Sequence, residues 1–273
     1  VSLSKFNHVI AGVFLNGKII KMDATSNFSA PDILPLECLN GNARIIAANR
    51  SEWIDLNPTT TSRSNSSIKI SFDESLEMQC KVARAYYNNQ AINMYNNLFV
   101  KNDQESIANS LASSNKEWTV DSVTTSHSLH PLPSVKLSYI AKITDYVTKK
   151  GDIVYLSPGI GLLSVVNPFV SQTRKFPMNF HYPFMDSYNF VLQVPDGYEI
   201  LEFPQNTRFA LPEGKGFYDY FLLVNENIIT VGITLSIGQT LFLPAEYASI
   251  KEFYDRVIAS NNQMIVFKKI ASK

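Results

Sequence analysis

Cysteine is scarce in this sequence, which has only Cys38 and Cys80 among its 273 residues. Two cysteines are too few to form the disulfide framework that stabilises small secreted domains. A single bridge between them is one alternative, but each lies in its own apolar segment, where a buried free thiol is the commoner outcome. Cysteine usage therefore excludes a disulfide scaffold and leaves the redox compartment open.

An excess of charge is also absent, since 24 Lys and Arg residues balance 24 Asp and Glu residues. Without a basic block there is no electrostatic reason to expect a nucleic acid as a partner. Long hydrophobic runs are missing too, and runs such as VVNPFV are far shorter than the roughly 20 residues that cross a bilayer. We therefore expect no nucleic acid among the partners and no transmembrane segment.

Glycine is sparse and aromatic residues are plentiful, with 11 Gly against 17 Phe and 13 Tyr. This balance favours packed sheets over flexible linkers. Apolar and polar residues alternate over residues 135–147, and short β-like segments separated by Gly, Pro and Asn recur over residues 176–243. Such spacing is typical of antiparallel sheets. The sequence predicts a mainly β (α+β) fold, an antiparallel β-sandwich or curled sheet with about three accompanying helices.

Helical spacing of apolar residues appears in two places. It predicts short helices near residues 85–114 and a longer one near residues 245–260. The string TTTSRSNSS has the lowest complexity of the chain and is typical of a linker. We therefore expect an N-terminal unit over residues 1–58, a linker over residues 59–66 and a β-rich domain over residues 67–273.

One pattern near the start of the chain carries chemistry, the string FNHVIAGVFLNGKIIKMDAT at residues 6–25. Asn16-Gly17 between two apolar segments is a strong signal for a two-residue hairpin turn. Counting outward from that turn makes His8 and Asp23 diagonal neighbours on one face. A carboxylate on one imidazole nitrogen leaves the other free to accept a proton from a nucleophile. The pair is a candidate catalytic dyad, and a structural histidine is the alternative.

The hairpin string resembles the His and Asp portion of transglutaminase-like cysteine-enzyme cores, in which the Asp often begins an Asp-Ala-Thr string, as at residues 23–25. Later strings resemble the β-rich domain of unknown function that follows such cores in bacterial multidomain proteins: WIDL, NPF, RKFPMNFHYPF, VPDGYEI and PAEYASIKEFYDRVI. The resemblance implies that residues 1–58 hold the terminal strands of such a core. It also implies an exported protein, in the periplasm or at the cell surface, whose partners are an upstream core or other domains of the same protein.

The nucleophile that the resemblance requires is missing from its expected place. In that family a Cys at a helix N-terminus precedes the His, but only seven residues precede His8 and none is Cys. Cys38 follows a proline-containing loop and Cys80 alternates within a strand, so neither is expected to be activated. The sequence predicts an incomplete triad of His8 and Asp23.

Three functions remain open at this point. The leading hypothesis is a non-catalytic accessory or binding region of a transglutaminase-like protein. One alternative is part of an active cysteine hydrolase or transferase, a protease or transglutaminase acting on peptide amides, once an upstream Cys is joined to it. The other alternative is a β-sandwich that binds a glycan or a protein, for which the aromatic strings FHYPF and FYDYF could form a platform.

Neither a metal nor a cofactor is expected. His127 and His130 are three residues apart, but their segment is non-helical and no Cys or carboxylate cluster accompanies them. They are predicted to be loop or strand-edge histidines, and His181 is predicted to be a structural or surface residue within a strand. The chain also has no glycine-rich phosphate-binding loop and no HExxH motif.

Overall fold

A computed structural model describes residues 6, 8–25, 27–39, 41–98, 103–113 and 118–271. Within these ranges the chain is rich in strands and has three α-helices, which confirms the predicted mainly β fold class. The helices are α1 (Asn89–Leu98), α2 (Gln104–Ser113) and α3 (Tyr247–Asn261). They lie close to the positions that the apolar spacing predicts.

The strands, in chain order, are β1 (Ala11–Leu15), β2 (Lys18–Met22), β3 (Asn42–Arg44), β4 (Trp53–Asp55), β5 (Ser62–Phe72), β6 (Met78–Tyr87), β7 (Trp118–Ser128), β8 (Ser134–Ile143), β9 (Val147–Lys150), β10 (Ile153–Leu156), β11 (Met178–Asn179), β12 (Phe184–Gln193), β13 (Tyr198–Glu202), β14 (Thr207–Ala210), β15 (Gly216–Asn225), β16 (Ile228–Ile237), β17 (Leu241–Phe242) and β18 (Ile265–Lys269).

A sheet of eight strands dominates the fold, in the order β14-β15-β16-β12-β5-β6-β8-β7. Its neighbours pair antiparallel except at the centre, where β12 and β5 run parallel. The sheet is therefore mixed, although the sequence pattern predicts an antiparallel one. A parallel pair needs a long crossover connection, and more than a hundred residues separate β5 from β12.

Residues 62–66, which the sequence assigns to a linker, instead form the first half of β5. The alternating serines explain the difference, because Ser62, Ser64 and Ser66 are buried while the residues between them are exposed. The Ser64 hydroxyl donates a hydrogen bond to Oδ1 of Asp186 at 2.5 Å. Small hydroxyl side chains can line a buried sheet face when polar partners lie opposite. The serine-rich composition of this segment therefore reflects the alternation of buried and exposed residues in a strand, and not a linker.

The main core lies on one face of the eight-stranded sheet. Buried side chains of that face join those of α3 and of a four-stranded sheet in the order β13-β18-β10-β9. Ile250, Phe253 and Val257 supply the apolar face of α3, as a helix on a sheet requires. Among the described residues, no helix has the length and apolarity needed to cross a bilayer.

A smaller cluster joins the N-terminal segments to this body. Leu34, Cys38, Leu39 and Leu56 pack together beside the β3–β4 pair. The side-chain amide of Asn89, at the start of α1, donates a 2.6 Å hydrogen bond to the backbone oxygen of Leu34. This cluster supports the end of the hairpin where the candidate site lies.

Candidate functional site

The β1–β2 hairpin has the register that the Asn-Gly turn predicts, with Leu15 opposite Lys18. Asn16 and Gly17 have φ values of 49° and 77°, the left-handed conformation that a tight hairpin turn of this kind requires. His8 precedes the first strand and Asp23 follows the second. Local turn chemistry therefore brings both side chains to the same open end of the hairpin.

His8 and Asp23 form a direct contact. The distance between Nε2 of His8 and Oδ2 of Asp23 is 2.8 Å. The Asp23 side chain is almost completely buried, whereas 24% of the His8 side chain is exposed. Asp23 is therefore shielded from water, while His8 remains accessible to a further group such as a nucleophile.

The Asp23 carboxyl is ionised at physiological pH. Burial by itself would raise its pKa, but hydrogen bonds from Thr25, Cys38 and His8 outweigh burial and lower the pKa to about 2. The backbone N–H of Thr25 donates to Oδ1 at 2.8 Å. The Ser29 hydroxyl donates to the backbone oxygen of Asp23 at 2.6 Å and holds the turn that presents the carboxylate.

The charge of Asp23 decides which nitrogen of His8 carries the proton. An ionised carboxylate can only accept hydrogen bonds, so Nε2 of His8 must be the donor in the 2.8 Å contact. In the neutral ring, Nδ1 then keeps its lone pair. This is the tautomer that a histidine needs in order to accept a proton from a nucleophile.

Cys38 lies at the same site, which the sequence does not predict. Its thiol donates to Oδ2 of Asp23 at 3.2 Å, the oxygen that also accepts from His8. Burial, followed by the hydrogen bond and the charge of Asp23, raises the pKa of Cys38 to about 12. The thiol therefore stays protonated and acts as a donor to the dyad. A thiol of this kind is not an activated nucleophile.

No local pattern could have placed Cys38 there. It closes a short 3-10 turn, Leu36–Cys38, after the irregular crossing that follows the hairpin, and the path of that crossing decides its neighbours. Cys80, by contrast, is buried within β6, where burial raises its pKa to about 12. Both cysteines are free thiols.

Three potential metal ligands meet at this point. One ligand atom each from His8, Asp23 and Cys38 lies within 4.8 Å of the other two. Imidazole nitrogen, carboxylate oxygen and sulfur together form a donor set that suits zinc.

The remaining histidines lie away from this site in different settings. His127 makes edge contacts with the rings of Phe28 at 5.7 Å and Tyr95 at 5.0 Å. His130 and His181 are exposed, and the backbone N–H of His181 bonds to Oδ1 of Asn179.

The two aromatic strings divide between core and surface. In FYDYF, Tyr218 and Tyr220 are buried in the main core, whereas Phe221 is 49% exposed on the opposite face of the sheet. The Phe221 ring covers Gly232 so closely that a Cβ there would lie 2.0 Å from it. A shallow cavity of about 570 Å³ opens beside this ring, and Arg208 and Asp219 form an ion pair of 3.2 Å on its wall. In FHYPF, the Phe180 and Phe184 rings pack against each other.

Comparison with known proteins adds one family. The family described as a domain of unknown function with a solved structure, DUF3858, matches residues 152–267, a segment that spans β10 to β18. No curated protein matches the chain. A family described as a domain of unknown function therefore matches part of the strand-rich C-terminal region, as the strings within residues 152–267 predict, while the bounds 67–273 stay a prediction.

One solved structure is similar in part. It is the crystal structure of a "putative protease" from Parabacteroides distasonis, which is 14% identical and aligns with a TM-score of 0.35. The alignment covers 44% of this chain and 24% of that protein, so this chain spans about a quarter of its length.

Proposed function

We propose that this chain is the C-terminal part of a transglutaminase-like protein. His8 and Asp23 supply the acid–base portion of its cysteine active site, and the β-rich remainder is a non-catalytic accessory region. The observation that carries this proposal is the 2.8 Å contact of His8 with a buried, ionised Asp23. Burying a carboxylate is unfavourable unless hydrogen bonds compensate for the lost hydration, and here the compensating donors include the imidazole itself.

In the proposed reaction a cysteine of an upstream segment attacks the carbonyl carbon of a peptide amide. Nδ1 of His8 takes the thiol proton and later gives it to the leaving amine as the carbon–nitrogen bond breaks. Asp23 holds the tautomer and stabilises the imidazolium through Nε2. The acyl group is then held on the cysteine as a thioester. Attack by water on this thioester releases the cysteine and makes the enzyme a hydrolase, whereas attack by an amine makes it a transferase.

The cysteines of this chain do not take the nucleophile's role in the proposal. The Cys38 thiol donates a hydrogen bond to Asp23 and keeps its proton, because its raised pKa leaves negligible thiolate at neutral pH. Cys80 is completely buried in the sheet core. The chain without an upstream cysteine is therefore expected to show no amide hydrolysis or transfer.

The test uses the full-length protein that contains this chain. Amine release from a peptide amide is measured for the wild type, His8→Ala and Asp23→Asn, with and without a thiol-alkylating agent. We expect alkylation to abolish activity, and each variant to lower kcat by about a thousandfold or more, as for other triads. The exposed His181 is the matched control, and His181→Ala should retain wild-type activity. Full activity in His8→Ala would rule out the dyad.

The proposed location is the periplasm or the cell surface, which follows from the resemblance to exported proteins. Fractionation of cells that express the full-length protein tests it. Recovery of the protein in the cytoplasmic fraction would contradict the location without affecting the chemistry of the dyad.

A glycan-binding surface is a second candidate function. It is favoured by the half-exposed Phe221 ring beside a cavity whose wall includes Asn206, Arg208 and Asp219, because sugar rings stack on aromatic faces while their hydroxyls bond to polar neighbours. Binding of the chain to a glycan array should then be lost in Phe221→Ala and kept in Phe176→Ala, which removes an exposed ring elsewhere. A blank array for the wild type would reject this function.

A further inference from the structure

The His8, Asp23 and Cys38 side chains converge in a manner that the proposed acid–base chemistry does not require. A dyad needs only the contact between imidazole and carboxylate. Here a buried thiol lies 3.2 Å from the same carboxylate oxygen, and the three donor atoms lie within 4.8 Å of one another. Two protons, one on sulfur and one on nitrogen, point at a single oxygen.

The distances from Oδ2 of Asp23 to the His8 nitrogen and to the Cys38 sulfur are close to the donor–donor distances around a tetrahedral zinc ion. Zinc binds sulfur at about 2.3 Å and imidazole nitrogen or carboxylate oxygen at about 2.0–2.2 Å, which places neighbouring donors about 3.3–3.7 Å apart. The contacts of 2.8 Å and 3.2 Å at Asp23 would each lengthen by about half an ångström. The His8 and Cys38 donors, which lie within 4.8 Å of each other, would also have to move to that spacing, so rotations of the side chains bring all three donors onto one ion.

We propose that Nε2 of His8, Oδ2 of Asp23 and Sγ of Cys38 form a zinc-binding site with water as the fourth ligand. The second carboxylate oxygen is held by the backbone N–H of Thr25 at 2.8 Å, which fixes the orientation of Asp23 as outer contacts do in known zinc sites. The exposed quarter of the His8 side chain provides the route by which the ion and its water enter.

Binding requires a definite change in protonation. The Cys38 thiol loses its proton to solvent, and the three protein ligands replace water molecules of the hydrated zinc ion, of which one water stays bound. In the neutral His8 ring the proton moves from Nε2 to Nδ1, so that Nε2 offers its lone pair to the metal. No oxidation or reduction takes place, and one proton is released for each ion bound.

The bound ion would also control the dyad. It takes Nε2 of His8 and Oδ2 of Asp23, so it replaces their hydrogen bond and leaves Nδ1 protonated and unable to accept a proton. Zinc would thus hold the site in an inactive form. This consequence rests on the proposed function, whereas the metal site itself does not.

The test measures binding of zinc alone to this chain, by titration calorimetry and by metal analysis after dialysis. We expect one ion per chain, and at least a tenfold loss of affinity in both Cys38→Ser and His8→Ala. With cobalt in place of zinc, a sulfur-to-cobalt charge-transfer absorption should appear in the wild type and be lost in Cys38→Ser.

Two controls separate this site from adventitious binding. Cys80→Ala removes the other thiol and His181→Ala removes an exposed imidazole, and both should bind zinc like the wild type. The proposal is overturned if the wild type binds no stoichiometric zinc, or if binding is lost in His181→Ala and kept in His8→Ala. His8 is partly exposed, so His8→Ala keeps the test valid if Cys38→Ser does not fold. No activity is measured, so failure here leaves the dyad untouched.

Discussion

The Cys38 thiol donates a hydrogen bond to Oδ2 of Asp23, the oxygen that also accepts from His8, at a sulfur–oxygen distance of 3.2 Å. With the Thr25 backbone N–H on the other oxygen, both ends of the carboxylate are held by donors. Donors of this kind stabilise the ionised form and fix its orientation. Cys38 is thus part of the electrostatics of the dyad, although its own thiol is unreactive.

Removal of the Cys38 donor should change the titration of Asp23. Because hydrogen bonding to the charged form lowers a carboxyl pKa, Cys38→Ala should raise the pKa of Asp23, and Cys38→Ser should leave it close to the wild type. Titration of the Asp23 carboxyl carbon by NMR measures both. Equal shifts in the alanine and serine variants would show that the thiol contributes by packing and not by donation.

The stability of the protein should depend on Asp23 in acid. Its pKa is lowered from 3.8 to about 2 in the folded state, so between these values the unfolded chain binds more protons than the folded chain. The free energy of unfolding therefore rises with pH through this window. Asp23 contributes about 2 kcal/mol above pH 4, and that contribution is lost as the pH falls through about 2.

Urea unfolding of the wild type and Asp23→Asn at neutral pH and at about pH 2.5 tests this expectation. The variant should be less stable by about 2 kcal/mol at neutral pH, and the difference should shrink to about 1 kcal/mol or less at pH 2.5, where the folded-state carboxyl is only beginning to be protonated. Asp196→Asn, at an exposed carboxylate, is the control and should show no such convergence. A constant difference at every pH would contradict the assigned pKa.

Asn89 should matter for joining the N-terminal segments to the large sheet. Its buried amide donates to the Leu34 oxygen at 2.6 Å, and Asn89→Ala would leave that oxygen without this donor. The expected loss is about 1–3 kcal/mol in the free energy of unfolding. Asn97→Ala, at an exposed position of the same helix, should cost much less. Equal losses of stability in Asn89→Ala and Asn97→Ala would mean that the hydrogen bond from Asn89 to Leu34 contributes little to the stability.

Asn261 should anchor the end of α3 to the sheet. Its side-chain oxygen accepts from the Tyr218 hydroxyl at 2.8 Å, and its amide donates to the Ser164 backbone oxygen at 2.9 Å. Asn261→Ala leaves the buried Tyr218 hydroxyl without this acceptor, at a cost of about 1–3 kcal/mol in unfolding experiments. The neighbouring exposed Asn262 is the control. Adding Tyr218→Phe should recover part of the loss, and strict additivity of the two changes would argue against the contact.

Local features were predictable from the sequence. The Asn16-Gly17 turn depends on the φ values of two adjacent residues, so the register that pairs His8 with Asp23 could be read from spacing alone. Helix α3 was predictable for a similar reason, because its apolar face recurs within fifteen consecutive residues. Both depend on interactions between residues that are close in the chain.

Other features are decided only by the tertiary structure, because they depend on contacts between residues that are far apart in the chain. Ser64 is separated from Asp186 by 122 positions, and without that carboxylate and the parallel pairing of β5 with β12, the serine-rich segment reads as a linker. Cys38 reaches Asp23 only because an irregular crossing packs into the cluster of Leu34 and Leu56. Strand pairing and packing between segments far apart in the chain decide these neighbours, and the irregular segment around Cys38 has no periodic pattern from which they could be predicted. The sequence by itself determined the His–Asp pair, and the folded structure determined that a thiol shares its carboxylate.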